Sequence, residues 1–164
     1  MIHMSESTMP AVGDVAPKFK LSASGGKTIA LEDFKGKQMV VLYFYPKADT
    51  PGCTKEACGF RDAIAGYDSA KVAVLGISPD PVKDVDKFST KFELNFPLLA
   101  DDDHAVAEKY GVWVEKSMYG KKYMGVARTT FVIGKDGKVI HIFEKVKPEG
   151  HDQEVLAWIK ENST

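Results

Sequence analysis

The chain has 164 residues, a net charge of −1, and 44% hydrophobic and 27% charged residues. That is an ordinary globular balance for one domain, which at this length needs no disulfide or metal staple to fold. Charges of both signs are interspersed, leaving no basic stripe for nucleic acid or an anionic membrane, and no apolar run approaches the roughly 20 residues of a membrane span.

Residues 1–10 are polar and carry no apolar core of the kind a signal peptide needs, so they read as a flexible segment ahead of a single domain over residues 11–164. The expected compartment is the cytoplasm, where thiols stay reduced. Two cysteines there read as reactive rather than structural. Val15 to Leu21 and Lys27 to Leu31 flank Ser24-Gly25-Gly26 and predict an N-terminal β-hairpin. Met39 to Tyr45 is a continuous β-branched and aromatic run, a strand covered on both faces, which Pro46 stops. Thr50 is placed to cap a helix with Pro51 at its first position, running to about Gly66. Val72 to Ile77 is a second buried strand. Val82, Val85, Phe88 and Phe92 give helical spacing over Val82 to Phe92. Pro97 to Ala100 is short and apolar, and Asp101-Asp102-Asp103 opens a helix over Ala105 to Tyr110 that Gly111 ends. Lys121 and Lys122 fall in a Gly-rich, solvated loop. Thr129 to Ile133 and Val139 to Phe143 form a hairpin around Gly134 to Gly137, and Val155 to Ile159 lies in a terminal helix. This order predicts an α/β sandwich, a central mixed sheet with helices on both faces and a right-handed crossover between its parallel strands.

The chemistry concentrates in Pro46-Lys47-Ala48-Asp49-Thr50-Pro51-Gly52-Cys53-Thr54-Lys55-Glu56-Ala57-Cys58. This stretch leaves a buried strand and enters a helix, so Cys53 falls in the first turn. Unpaired backbone N–H groups and the positive end of the helix dipole there favour thiolate over thiol. Thr50, three residues earlier, can set a hydroxyl beside the sulfur. Cys58 taken alone is what a small buried hydrophobe looks like on an amphipathic helix. Two cysteines five apart, with His3, His104, His141 and His151 scattered, lack the spacing of a zinc site. The three aspartates from Asp101 read as helix capping, Tyr43, Phe44 and Tyr45 as core, and Trp113 and Trp158 as packing residues, Trp113 with the option of lining the site.

Pro46-x-x-x-Thr50-x-x-Cys53 resembles the active-site signature of the peroxiredoxins, and the wording Thr50 to Thr54 with Cys58 is similar to their bacterioferritin comigratory protein or PrxQ branch. The likeness extends from Gly13-Asp14-Val15-Ala16-Pro17 to Ala127-Arg128-Thr129-Thr130-Phe131. It implies a thioredoxin-like fold, reduction of hydrogen peroxide and organic hydroperoxides, and no cofactor. It implies Cys53 as peroxidatic nucleophile, Cys58 as resolving cysteine, Thr50 as hydrogen-bonding partner of the peroxide, Pro46 as a shield against water, and Arg128 as the cation that holds thiolate and peroxide oxygen. Thioredoxin or a similar dithiol is the implied reductant, and a monomer is expected because no extended tail carries a partner cysteine. Two other classes fit the residues less closely. A general dithiol-disulfide oxidoreductase would normally carry Cys-x-x-Cys, and a redox sensor would need Cys53 oxidation without fast recycling.

If Cys53 and Cys58 share one helix, five residues give a rise of about 7.5 Å and a turn of about 500°, so the side chains face nearly opposite ways. Their Cα atoms would lie about 8 to 9 Å apart, beyond the ~7 Å limit for bridging without backbone movement. The reduced chain is therefore expected without a disulfide.

Overall fold

The structure, a computed structural model, describes residues 9–162. Nine strands and four α-helices run in the order β1 (Lys20–Ala23), β2 (Lys27–Ala30), β3 (Met39–Phe44), α1 (Pro51–Ser69), β4 (Val72–Ser78), α2 (Val82–Lys91), β5 (Leu98–Ala100), α3 (Ala105–Lys109), β6 (Trp113–Met118), β7 (Lys121–Val126), β8 (Thr129–Ile133), β9 (Val139–Phe143) and α4 (His151–Asn162) among these residues. Seven strands make one mixed sheet in the order β2-β1-β5-β4-β3-β8-β9, and β6 and β7 pair separately. β3 lies parallel to β4 and antiparallel to β8.

Alternation along β3 divides the core. Val40, Leu42 and Phe44 point to one face, against Tyr110, Phe131 and the α3 residues Val106 and Ala107. Val41, Tyr43 and Tyr45 point to the other, against α1, α2 and α4 through Phe60, Phe88 and Ile159. Both faces of β3 are thus covered, which is why its sequence is apolar without a period of two. Tyr43, Phe44 and Tyr45 are core, as expected.

α1 and α4 pack closely because glycines stand on the α1 face between them. A Cβ at Gly59 would sit 2.5 Å from Asp152 Oδ1, and one at Gly66 2.7 Å from Leu156 Cδ2. Those two α4 residues lie one helical turn apart, so the seven-residue glycine spacing on α1 matches a four-residue step on α4.

Three expectations need correction, and the capping expected of Asp101 is borne out. The first strand begins at Lys20, not Val15. Val15 makes only an isolated bridge to Lys138, and Pro17 has no N–H to give a ladder. Lys121 and Lys122 open β7 rather than a loop. Tyr119 and Gly120, both at positive φ (52° and 79°), form the two-residue turn of a hairpin that the charged, weakly alternating sequence hid. Helix α3 is capped from a distance. Asp101 Oδ1 and Oδ2 accept the N–H groups of Val106 (3.1 Å) and Ala107 (2.8 Å), while His104 holds the cap position in the left-handed region. Met9 and Pro10, assigned by sequence to the flexible segment, pack against the domain: Pro10 is buried, and a side chain at Gly111 would strike the Met9 backbone. The rest of that segment lies outside the described residues.

Candidate active site

The site forms where β3 ends. Tyr45 N–H still bonds Ile77 O, and Pro46 then turns the chain out of the sheet. The loop to α1 is braced at three points. Ala48 N–H donates to buried Asp80 Oδ2 at 2.8 Å, Lys91 from the end of α2 pairs with Asp49 at 3.0 Å, and Thr50 Oγ1 donates to Lys47 O at 2.8 Å. Asp49 sits at positive φ (61°), a conformation that a short polar side chain tolerates better than most. Thr50 occupies the helix cap position, but its hydroxyl does not reach back to the helix N–H groups as a cap would. With its proton committed to Lys47, the Thr50 oxygen keeps its lone pairs for another donor.

Cys53 follows in the first turn of α1, 1% exposed. Arg128 reaches it from the far end of the chain. β8 runs antiparallel beside β3 with Thr129 opposite Phe44, so the residue before β8 arrives where the chain leaves β3. The Arg128 fork then divides. Nη2 donates to Cys53 Sγ at 3.0 Å and Nη1 to Glu56 Oε1 at 2.8 Å. Gly52 leaves room for this, because a Cβ there would stand 2.9 Å from Arg128 Nη2.

Glu56 is the site residue that sequence reasoning missed. It lies one turn beyond Cys53 on the same buried face of α1, and that three-residue spacing was the available signal. Burial pushes its carboxyl pKa up to about 7, against the pull of Arg128. Among the described residues its Oε2 has no hydrogen-bond partner, nor does the buried hydroxyl of Tyr43. Tyr43 packs in the same cluster as Cys53, and its phenol pKa is raised by burial first, and then by Tyr45, Glu56 and Cys53.

Five residues were singled out from sequence. The structure joins Cys53 and Arg128 directly, sets Thr50 one turn before the sulfur and leaves Pro46 half-buried at the exit from β3. Cys58 stands apart. It lies on the same unbroken helix, half-buried and outside the cluster that encloses Cys53, and both thiols are free. Its neighbour one turn on, Arg61, donates to Phe92 O at 2.7 Å and so ties that part of α1 to the end of α2. Trp113 packs into the core on the α3 side and stacks on His104, ring centroids 3.9 Å apart.

Residues 12–142 match the model of the AhpC/TSA family. The chain belongs to that family. Among AhpC/TSA members it is 50% identical to peroxiredoxin Bcp of Escherichia coli K12 over 151 residues, covering 92% of this chain and 96% of that one. It is 45% identical to peroxiredoxin Bcp of Bacillus subtilis, covering 93% and 96%. A mutant PrxQ of Xylella fastidiosa superposes with a TM-score of 0.89 at 33% identity, covering 96% and 100%. Bacterioferritin comigratory protein of Xanthomonas campestris, a protein described by its alkyl peroxide reduction activity, superposes with a TM-score of 0.84 at 40% identity, covering 89% and 92%. The likeness to the Bcp and PrxQ branch of the peroxiredoxins, and with it the thioredoxin-like α/β fold, is borne out across nearly the whole chain. Among the described residues no helix is long and apolar enough to cross a membrane.

Proposed function

We propose that this AhpC/TSA protein is a thiol peroxidase in which Cys53 attacks hydroperoxides and Cys58 resolves the product. The observation that carries the reading is the 3.0 Å contact from Arg128 Nη2 to Cys53 Sγ at the start of α1. A guanidinium keeps its charge at any working pH and offers its donors in a fixed fork. Here it faces an anionic sulfur and the oxygen on which negative charge grows as an O–O bond breaks. The Thr50 oxygen, its own proton spent on Lys47, accepts the hydrogen of an incoming hydroperoxide and orients it. Pro46 covers the approach.

The Cys53 thiolate attacks one peroxide oxygen, the O–O bond breaks, and the departing oxygen takes a proton to leave as water or an alcohol. Cys53 is then a sulfenic acid. The Cys58 thiol condenses with it, releasing water and forming a disulfide. A dithiol reductant such as thioredoxin returns both cysteines to thiols by exchange.

The test is steady-state hydroperoxide consumption with a thioredoxin system. Cys53→Ser should lose all turnover. Cys58→Ser should consume one equivalent of peroxide and stop at the sulfenic acid, or recycle only with small thiols. Wild-type turnover by Cys53→Ser would sink the reading, and thioredoxin-dependent recycling of Cys58→Ser at the wild-type rate would remove Cys58 from it.

A further inference from the structure

Lys116 has no place in the mechanism above, yet it stands beside the site. On the β6–β7 hairpin it pairs directly with Tyr123, while Val114 pairs with Gly125 and Met118 with Lys121. Directly paired residues share a face of an antiparallel ribbon. Val114, Lys116, Met118, Lys121, Tyr123 and Gly125 therefore line one side, with Lys121 at the exposed tip, and Glu115 turns to the other. Gly125 presents no side chain, and the lysine stem lies down across it. A Cβ at Gly125 would be 3.4 Å from Lys116 Cδ and 3.7 Å from Cε. Gly125 lies on the hairpin-base side of Lys116, and three residues further the chain reaches Arg128. The stem thus points its ammonium back along the hairpin toward the site. The ammonium lies in the field of both charged partners there: burial and then Arg128 lower its pKa, and the Cys53 thiolate raises it.

Lys116 is half-buried, and among the described residues it makes no ion pair and no hydrogen bond. The site carboxylate Glu56 pairs with Arg128, and Glu115 of the same hairpin pairs with Lys122. A partly desolvated ammonium without a counter-charge is unfavourable until an anion arrives. Arg128 already gives one N–H from each terminal nitrogen to Cys53 and Glu56, and the proposed attack assigns its remaining charge to the peroxide oxygen. An anionic substrate approaching a thiolate meets repulsion, and Lys116 is a partly buried positive charge, without an ion pair among the described residues, that offsets it.

We propose that Lys116 is a substrate-anion site, selecting hydroperoxides that carry a carboxylate or comparable anion close to the peroxy group. The anion rests on the Lys116 ammonium while the peroxy oxygen meets Cys53. The inference rests on the thiol-peroxidase reading. The attack itself is unchanged, and the anion leaves with the alcohol.

The experiment compares kcat/KM of the full chain for tert-butyl hydroperoxide and for its analogue with a carboxylate on one methyl group. The quantity read is the ratio of the carboxylated to the neutral substrate. Lys116→Met keeps an apolar stem and removes the charge, and should lower that ratio roughly fivefold, the upper range for an exposed ion pair. Lys116→Arg should restore it. In the wild type the ratio should also fall as salt is raised, a test that needs no variant to fold. An unchanged ratio in Lys116→Met overturns the proposal, even if both rates drop together, because Lys116 would then act on the thiolate alone. A wild-type ratio insensitive to salt overturns it as well. If the wild type turns over neither compound, the peroxidase reading fails first and this one falls with it.

Discussion

Arg128 serves two acids at once, and each responds to a change in the other. Its contact with Cys53 depends on the absence of a side chain at Gly52, 2.9 Å from where a Cβ would stand. Gly52→Ala is therefore expected to displace the guanidinium with little cost to the fold, since position 52 lies in a helix that favours alanine. Peroxide attack should slow by about ten- to hundredfold, the penalty for roughly 1 Å of misplacement. Stopped-flow oxidation of the reduced chain reads this, and an undiminished rate would show that the Arg128 contact is idle. Thr50 is tested by shape against chemistry. Thr50→Val keeps the volume and loses the oxygen, and should cost ~2 to 4 kcal/mol in the barrier if that bond strengthens in the transition state. Thr50→Ser should be mild. Equal rates for the two variants would show that the hydroxyl takes no part.

At the scale of the element, α1 poses a geometric problem. It is continuous from Pro51 to Ser69 with both thiols free, so Cys53 and Cys58 keep the helical separation of about 8 to 9 Å between Cα atoms. A disulfide tolerates ~7 Å. Resolution therefore requires the first two turns of α1 to unwind, with Cys53 leaving its buried place. Helix starts open at low cost, on the order of a few kcal/mol. Arg61, held to Phe92 O, marks where the opening should stop, because beyond it α1 is tied to α2. Hydrogen exchange should show residues 50–60 losing protection on oxidation while residues beyond Arg61 keep theirs. An oxidised chain with a Cys53–Cys58 bond and an intact helix from Thr54 to Cys58 would refute the unwinding.

Across the whole molecule, two buried groups give stability opposite slopes with pH. Glu56 holds its proton up to about pH 7 when folded but releases it near 4.5 when unfolded. Between those values the native state carries more protons, so its stability falls as pH rises. Glu56→Gln should accordingly gain on the wild type by about 2 to 3 kcal/mol between about pH 5 and about pH 8 in urea unfolding. A constant difference across that range would show that Glu56 is ionised throughout. His151 acts the other way. Buried between Phe60 and Phe143, with Thr130 on one ring nitrogen and Glu154 on the other, its pKa is lowered, chiefly by burial. The unfolded chain takes up this proton first, so stability is lost as pH falls below about 6.5. His151→Gln should flatten that acid limb. The expected monomer is checked by sedimentation of the reduced chain.

Sequence alone determined the elements that obey local rules. The β-branched run Met39 to Tyr45, stopped by Pro46, was a buried strand on composition. Thr50-Pro51-Gly52-Cys53 placed a cysteine at a helix start, because a proline at the first helical position and a cysteine two residues on leave little choice. Spacing on one helix already forbade a ready-made disulfide. The hairpin at Tyr119-Gly120 escaped because its strands are charged and largely solvated, covered only toward the base, which leaves little to impose a period of two. Glu56 escaped because a carboxylate on a helix reads as solvent-facing until its partner is known. That partner, Arg128, comes from 72 residues away and is brought in by the pairing of β8 with β3. Long-range pairing carries no local signature, so the charge pairing around Cys53, the elevated pKa of Glu56 and the partly buried ammonium of Lys116 exist only once the sheet has formed.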